Sequence, residues 1–238
     1  MVSQLLVGDG PDLSFYRCAF ALVPSSAPVS KAQAAAIFAD LSMEPGLTGL
    51  DVSPDGAPLE HARWHGPGVA VFLQPNQQLT LERTGGGRAL DGHEALSREI
   101  GTVVDTIRRH ADIGGVWAPQ LSLAGHWALD GEDAYQFLNE SSGLLAHLDL
   151  DGFSRPAIGL RMVERDQEAG MADLKIEPWF VNPTALYLEL TVALPQDAMA
   201  VADDWQTVSA LAARAYTLLG STARALGRWP TRRVTAHG

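Results

Sequence analysis

Two histidines and a glutamate lie close together early in the chain and could bind a metal ion. His61 and His65 are four residues apart with Glu60 adjacent, the spacing of zinc ligands on one face of a helix. The segment from Leu59 to His65, however, has the pattern of a strand, on which residues four apart are not adjacent. No third ligand is near in sequence. We therefore interpret both residues as surface histidines and predict no metal site.

Two glycine-containing segments resemble ion-binding or phosphate-binding loops but lack the complete motifs. In His147–Gly152 two aspartates precede a glycine, but the closing Glu of a calcium loop is absent. Gly85-Gly86-Gly87 precedes a helix, yet neither glycine-rich phosphate motif occurs, and Asp91 and Glu94 would repel a phosphate there. The chain also has no Gly-x-Ser-x-Gly and no Cys–His pair in a catalytic context. We predict no catalytic residues and no cofactor.

The most informative set of side chains is predicted to share one face of a sheet in the second half of the chain. Alternate residues of a strand point to opposite faces, so Tyr187 and Glu189 face away from the helices if Leu186, Leu188 and Leu190 face them. The same alternation in neighbouring strands gives a candidate binding face made of Trp179, Tyr187, Glu189, Glu177, Arg161, Lys175 and His126. Aromatic residues mixed with both signs of charge suit a small ligand or a peptide. The alternative is an ordinary solvated sheet face with cross-strand ion pairs.

Composition excludes several classes of protein. The net charge is −11, and the only basic cluster is Arg224, Arg228, Arg232 and Arg233 near the end, so nucleic acid is an unfavourable partner. No segment has the ~20 consecutive apolar residues of a membrane span, and no export signal is present. The single cysteine, Cys18, lies in an apolar run and is expected to be a buried thiol. We expect a cytoplasmic protein of bacterial origin with no membrane contact.

Four helices are predicted, and each is expected to pack one face on the sheet. Ser30 and Gln33 form a capping-box pattern ahead of a helix over 31–41, Asp91 and Glu94 open a longer one, and Asp130 opens a short one. The opening of the short helix combines Asp130 with Asp133. A last helix spans about 202–226, with Trp205, Val208, Ala212, Ala215 and Leu219 predicted to pack on the sheet.

Eight segments have strand patterns, two of them with clear alternation of apolar and polar residues. The predicted strands are 15–23, 59–65, 69–74, 78–83, 120–129, 157–165, 174–181 and 185–190. In the segment 174–181, Ile176 and Phe180 are predicted to point toward the helices. Pro and Asn mark the joints before the strands at 78 and 185.

The two halves of the chain have the same order of elements and share local identities. Leu79, Leu81 and Glu82 correspond to Leu186, Leu188 and Glu189 at one constant offset. A period near half the chain indicates a duplicated unit rather than a solenoid. We predict an N-terminal tail over 1–12, one domain over 13–226 made of two repeats (13–112 and 118–226), and a basic tail over 227–238.

The order of motifs resembles a known family. It comprises an N-terminal strand and helix, the hairpin Val69–Leu81, a long helix, the strand Gln120–Leu129 and the acidic opening Asp130–Leu138. In this order the chain resembles a sporadically distributed bacterial family of proteins of about this length that has no assigned activity. The resemblance implies no catalytic residues.

These observations predict an α+β fold: two βαβββα units that form one large, mainly antiparallel sheet with helices on one face. The predicted function is non-catalytic binding of a protein partner by an adaptor. A ligand-sensing domain that binds a small molecule on the open sheet face is the alternative, and an enzyme with a carboxylate base such as Glu177 or Glu189 is a further one. A homodimer is left open.

Overall fold

A nine-stranded antiparallel sheet and four helices form the described part of the chain, which confirms the predicted α+β class. The computed structural model describes residues 10–24, 29–42, 47–53, 61–74, 78–85, 90–142, 157–166, 170–194 and 204–226. The predicted C-terminal tail, residues 1–9 of the predicted N-terminal tail, the Asp149 and Asp151 segment and Gly86-Gly87 lie outside these residues. The first strand begins at Asp12, the last residue of the predicted N-terminal tail.

The strands occur in an order that places the first strand of each half at the centre of the sheet. Their bounds are β1 (Asp12–Pro24), β2 (Gly49–Val52), β3 (Ala62–Gly66), β4 (Val69–Leu73), β5 (Gln78–Thr84), β6 (Ile113–Ala128), β7 (Leu160–Asp166), β8 (Gly170–Pro178) and β9 (Ala185–Ala193). The order across the sheet is β2-β3-β4-β5-β1-β6-β9-β8-β7. The first half therefore has one strand, β2, more than the predicted unit.

The helices are α1 (Lys31–Leu41), α2 (His93–His110), α3 (Ala134–Ser142) and α4 (Asp204–Leu226). The capping box at Ser30 and Gln33 is present as predicted. Helix α2 begins two residues later than Asp91, with Gly92 at its N-cap. At α3 the side chain of Asp133, the second residue of the predicted Asp130/Asp133 pair, accepts the backbone N–H groups of Tyr135 and Gln136. None of the helices in the described ranges is long and apolar enough to cross a membrane.

The helices cover one face of the sheet, and that face carries the core. Alternate residues of each strand are buried there, as in β9, where Leu186, Leu188 and Leu190 are at most 1% exposed. Helix α4 packs on β6, β9 and α2. Its residues Val208, Ala212, Ala215 and Leu219 are buried as predicted, whereas the side chain of Trp205 lies outside the described part. Cys18 is fully buried, as predicted, and burial raises the pKa of its thiol.

A polar cluster ties α2 to the centre of the sheet on the helix-covered face. Glu99 of α2 accepts hydrogen bonds from the hydroxyl of Tyr16 in β1 and from Nε and Nη2 of Arg83 in β5, the last two at 2.8 and 2.9 Å. Tyr16 is fully buried. Burial, and then the negative charge of Glu99, raise the pKa of the Tyr16 hydroxyl, so this group remains a hydrogen-bond donor.

One close approach at the centre of the sheet requires glycine. The β1–β6 ladder has a register shift between Leu13 and Phe15, which brings the backbone of β1 close to Gly125. A Cβ atom at Gly125 would lie 2.2 Å from the carbonyl oxygen of Asp12, well inside van der Waals contact.

The strand pairing has the symmetry that a duplication requires. Phe20 of β1 pairs with Leu79 of β5, and Trp127 of β6 pairs with Leu186 of β9. Trp127 lies 107 positions after Phe20, and Leu186 lies 107 positions after Leu79. The same offset relates Leu81 to Leu188. The duplication itself stays a prediction, because a common ladder register does not establish that the two halves superpose.

Candidate functional site

The seven residues of the candidate binding face all lie on or beside the second half of the sheet. Six of them occupy strand positions that alternate with helix-facing residues. Tyr187 and Glu189, for example, are half-buried between Leu186, Leu188 and Leu190. Trp179 follows β8 directly, and its backbone N–H donates to the carbonyl of Ala185 at 2.9 Å.

Ladder register arranges these side chains in two adjacent rows on the open face. In the first row His126 pairs with Tyr187, and Tyr187 pairs with Glu177. In the second row Glu189 pairs with Lys175, and Lys175 pairs with Arg161. The fold therefore brings these side chains from four strands together on one face, and a binding role for them stays a prediction.

Aromatic rings form one end of this patch. The imidazole of His126 stacks on the indole of Trp179, with ring centroids 4.6 Å apart and an angle of 21° between the planes. Nε2 of His126 also lies 3.5 Å from a carboxylate oxygen of Asp12. The contacts with Trp179, which follows β8, and with Asp12 of β1 therefore fix the orientation of the His126 ring.

Tyr187 lies beside this stack and carries the only hydroxyl group of the seven candidate residues. Its hydroxyl donates to Glu189 at 3.4 Å, near the upper limit for a hydrogen bond. Burial, and then the charge of Glu189, raise the pKa of Tyr187. The phenol is consequently neutral at physiological pH, and its oxygen can accept a hydrogen bond from a bound partner while its proton is directed to Glu189.

The charged end of the patch is internally paired. Lys175 lies 2.9 Å from Glu177, and Arg161 donates from Nε and Nη2 to both oxygens of Asp173, at 3.0 and 2.6 Å. The hydrogen bonds from Arg161 lower the pKa of Asp173, and the same contact raises the pKa of Arg161. Because these charges neutralise one another, this end of the face presents a polar but nearly neutral surface.

The turn between β8 and β9 adds two exposed apolar residues that the sequence interpretation placed wrongly. Phe180 is 84% exposed and Val181 is 64% exposed, because β8 ends at Pro178 instead of continuing to residue 181. The prediction that Phe180 points toward the helices is therefore wrong. The signal that identifies this turn is Asn182-Pro183, which favours a turn directly after Val181.

Hydrogen bonds hold this turn in one conformation. The backbone N–H of Asn182 donates to the carbonyl of Trp179 at 3.1 Å, and that of Ala185 donates to the carbonyl of Asn182 at 3.0 Å. The side-chain oxygen of Asn182 accepts from both the backbone N–H and the hydroxyl of Thr184. The exposure of Phe180 and Val181 is therefore imposed by an ordered turn.

A second feature of the open face, in the first half of the sheet, was not predicted as a site. An open depression of about 250 Å³ is lined by side chains of β3, β4 and β5, among them Arg63, His65, Ala70, Phe72 and Glu82. The alternation in Ala62-Arg63-Trp64-His65 indicates that Arg63 and His65 share the open face. A further depression on the outer surface of α2 is lined by Thr102, Asp105, Arg108 and Arg109. Neither is lined by any of the seven predicted residues.

The two histidines considered as metal ligands are separated by the fold. His61 precedes β3 and is exposed, whereas His65 lies within β3 and pairs with Asp51 at 3.3 Å. Within the described ranges, no group of three or more His, Cys, Asp and Glu side chains is placed to hold a metal ion.

Comparisons with known proteins add no function. No family model and no curated protein matches the chain. A solved structure of Methanococcus jannaschii TBP aligns over 91% of this chain and 99% of that one, at 9% identity and a TM-score of 0.33. The structure of DynU16, a protein in the dynemicin biosynthetic locus, aligns over 90% and 99%, at 15% identity and a TM-score of 0.23. Both TM-scores are too low for either likeness to carry an argument.

Proposed function

We propose that this protein is a non-catalytic adaptor that binds a protein partner through the open sheet face of its second half. The observation that carries the proposal is the pair of exposed apolar side chains, Phe180 and Val181, on an ordered turn directly beside the Trp179–His126 stack. As part of the proposal, the protein acts in a bacterial cytoplasm, and its partner is neither a nucleic acid nor a membrane.

The arrangement has the features of a protein-binding surface. Aromatic residues at the centre of an interface contribute most of the binding free energy, and a polar rim excludes water around them. Here Trp179, Phe180 and Tyr187 supply aromatic anchors at one end of the face, and the ion pairs of Lys175 and Arg161 supply a polar surface at the other end. Burying a side chain such as Phe180 contributes about 1.5–3 kcal/mol. An ordered turn also loses little conformational entropy on binding.

The test uses a photo-crosslinking amino acid in the cells from which the protein derives. We expect the probe at position 180 to form a covalent adduct with one polypeptide, because that side chain is the most exposed of the proposed aromatic anchors. The matched control carries the probe at Met162, which is 49% exposed on β7 and pairs with the buried Leu174 on the helix-covered face. The adduct partner is then purified, and its affinity is measured for the parent and for Phe180→Ser/Val181→Ser. Equal adducts at both positions, or equal affinities, would contradict the proposal.

A second measurement separates a binding face from a packing face. The double change Trp179→Ala/Tyr187→Ala is expected to abolish partner binding while the melting temperature stays within a few degrees of the parent, because both side chains are only half-buried. A sharp fall in melting temperature would instead show that these side chains belong to a packed core. The proposed site would then be wrong.

A further inference from the structure

We infer that the depression in the first half of the open face is a binding site for a small zwitterion of the α-amino-acid type. The inference does not depend on the proposed partner surface, which lies on the other half of the sheet. It rests on the shape of the depression and on the two opposite charges at its walls.

The depression exists because a short side chain lies between two long ones. His65, Ala70 and Glu82 follow one another across β3, β4 and β5 in a single row of the open face. The methyl group of Ala70 leaves a space above the sheet that the imidazole and the carboxylate enclose from either side. Phe72, in the next row, forms an apolar wall.

The wall on the β3 side carries a cation, Arg63, whose cross-strand neighbour Asp51 contacts His65 instead. The guanidinium of Arg63 lies over the ring of Phe72, 5.0 Å from its centroid. No carboxylate pairs with Arg63 among the residues that the structure describes. The planar guanidinium group presents its N–H groups in a fork that suits bidentate binding of a carboxylate.

The opposite wall carries an anion. Glu82 is 32% exposed, and its Oε1 lies 3.2 Å from Nε of Arg17, whose side chain is itself 49% exposed. This ion pair orients the carboxylate at the edge of the depression. A solvent-exposed carboxylate of this kind can accept hydrogen bonds from a ligand ammonium group in addition to the guanidinium.

The third wall is rigid. The ring of His65 packs on Gly49, where a Cβ atom would lie 2.4 Å from the imidazole, and its Nε2 lies 3.3 Å from Asp51. The β3–β4 turn closes the end of the depression with Gly68 at a φ of 71°, a conformation that favours glycine. The carbonyl of Gly68 accepts from the backbone N–H of Thr84 at 2.8 Å. The site is therefore formed before a ligand arrives.

These walls select for a class of ligand. A ligand with both charges satisfies Arg63 and Glu82 at once, and its side chain can lie against Phe72. A ligand with only a carboxylate would be repelled by the negative charge of Glu82. A ligand with only an ammonium group would be repelled by the positive charge of Arg63. A volume of about 250 Å³ is below the range of pockets that enclose drug-sized ligands, so it suits a small one.

The test is calorimetric titration of the full chain with each standard L-amino acid, and with two analogues of leucine that each lack one charge. These are 4-methylpentanoate, which has no ammonium group, and 3-methylbutylamine, which has no carboxylate. We expect at least one amino acid to bind. If leucine binds, both analogues should bind about tenfold or more weakly, the effect of losing one charged hydrogen bond.

Substitutions locate the site. Arg63→Met and Glu82→Gln should each weaken amino-acid binding about tenfold or more, and Glu82→Gln should remove the discrimination against the simple carboxylate. Arg161→Met and Glu177→Gln, on the other half of the same face, are the matched controls and should leave binding unchanged. Failure of every amino acid to bind, equal binding of the analogues, or unchanged binding in both first-half variants would each overturn the inference. None of these results bears on the partner surface.

Discussion

Replacing Glu99 by leucine should destabilise the fold strongly, because Glu99 accepts hydrogen bonds from three donor groups on two residues of the sheet. The change removes the acceptor for the buried hydroxyl of Tyr16 and for two N–H groups of Arg83. The side chains of Arg83 and Glu99 are 16% and 18% exposed, so the guanidinium would lose its counter-charge in a largely desolvated position. Removing one partner of a buried ion pair costs about 3–5 kcal/mol. The residual exposure of Arg83 places the expected loss near the lower end, at about 3 kcal/mol.

The measurement is urea-induced unfolding followed by tryptophan fluorescence, with the free energy taken from the linear extrapolation. Two further variants make the test specific. Arg161→Met removes an ion pair whose arginine side chain is 69% exposed, and it should leave the unfolding free energy unchanged within error. Arg83→Met/Glu99→Leu removes both charges and should be more stable than Glu99→Leu alone, because no charge is left unpaired. A loss below about 1 kcal/mol in Glu99→Leu would show that water solvates the cluster and would refute the reasoning.

Three further predictions follow from other parts of the molecule. Gly125→Ala should cost about 1–3 kcal/mol in urea unfolding, because its methyl group would meet the backbone of Asp12, whereas Gly92→Ala, with open space around it, should show no such clash penalty. Burial, and then the charge of Asp91, raise the pKa of Tyr216 to about 12 from 10.0, so the folded state holds this proton more tightly than the unfolded state. Stability should therefore fall between about pH 10 and pH 12 less steeply in Tyr216→Phe than in the parent, and parallel slopes would contradict this. Finally, with a net charge of −11 the protein should not bind DNA or RNA at physiological salt, and micromolar binding that survives removal of residues 228–238 would refute this.

The side-chain pattern along the sequence sufficed to predict much of the fold and the composition of the candidate face. Burial alternates along β8 and β9 as the period of two requires, so the alternation alone assigned Tyr187 and Glu189 to the open face. Helix α1 was predicted from its capping box in the same way. These assignments succeed because each depends only on residues within a few positions of one another.

The positions of β2 and Phe180 depend on strand pairing between residues far apart in the chain, which a local sequence pattern does not specify. Strand β2 has only four residues, too few for a periodic signal, and it is defined by pairing with β3. Phe180 was assigned to the helix-facing side because alternation was extended past Pro178, where the chain in fact leaves the ladder. A local pattern cannot show where a strand loses its partner, since pairing is a long-range contact.

The sequence alone therefore determined which side chains each element buries, because burial follows from local periodicity and from the free energy of removing apolar surface from water. Only the tertiary structure decided which exposed side chains meet. The stack of His126 on Trp179 and the position of Ala70 between His65 and Glu82 both arise from ladder register between strands distant in the chain. Register is fixed by the packing of the whole sheet, and a shift of one residue would move each of these side chains to the other face.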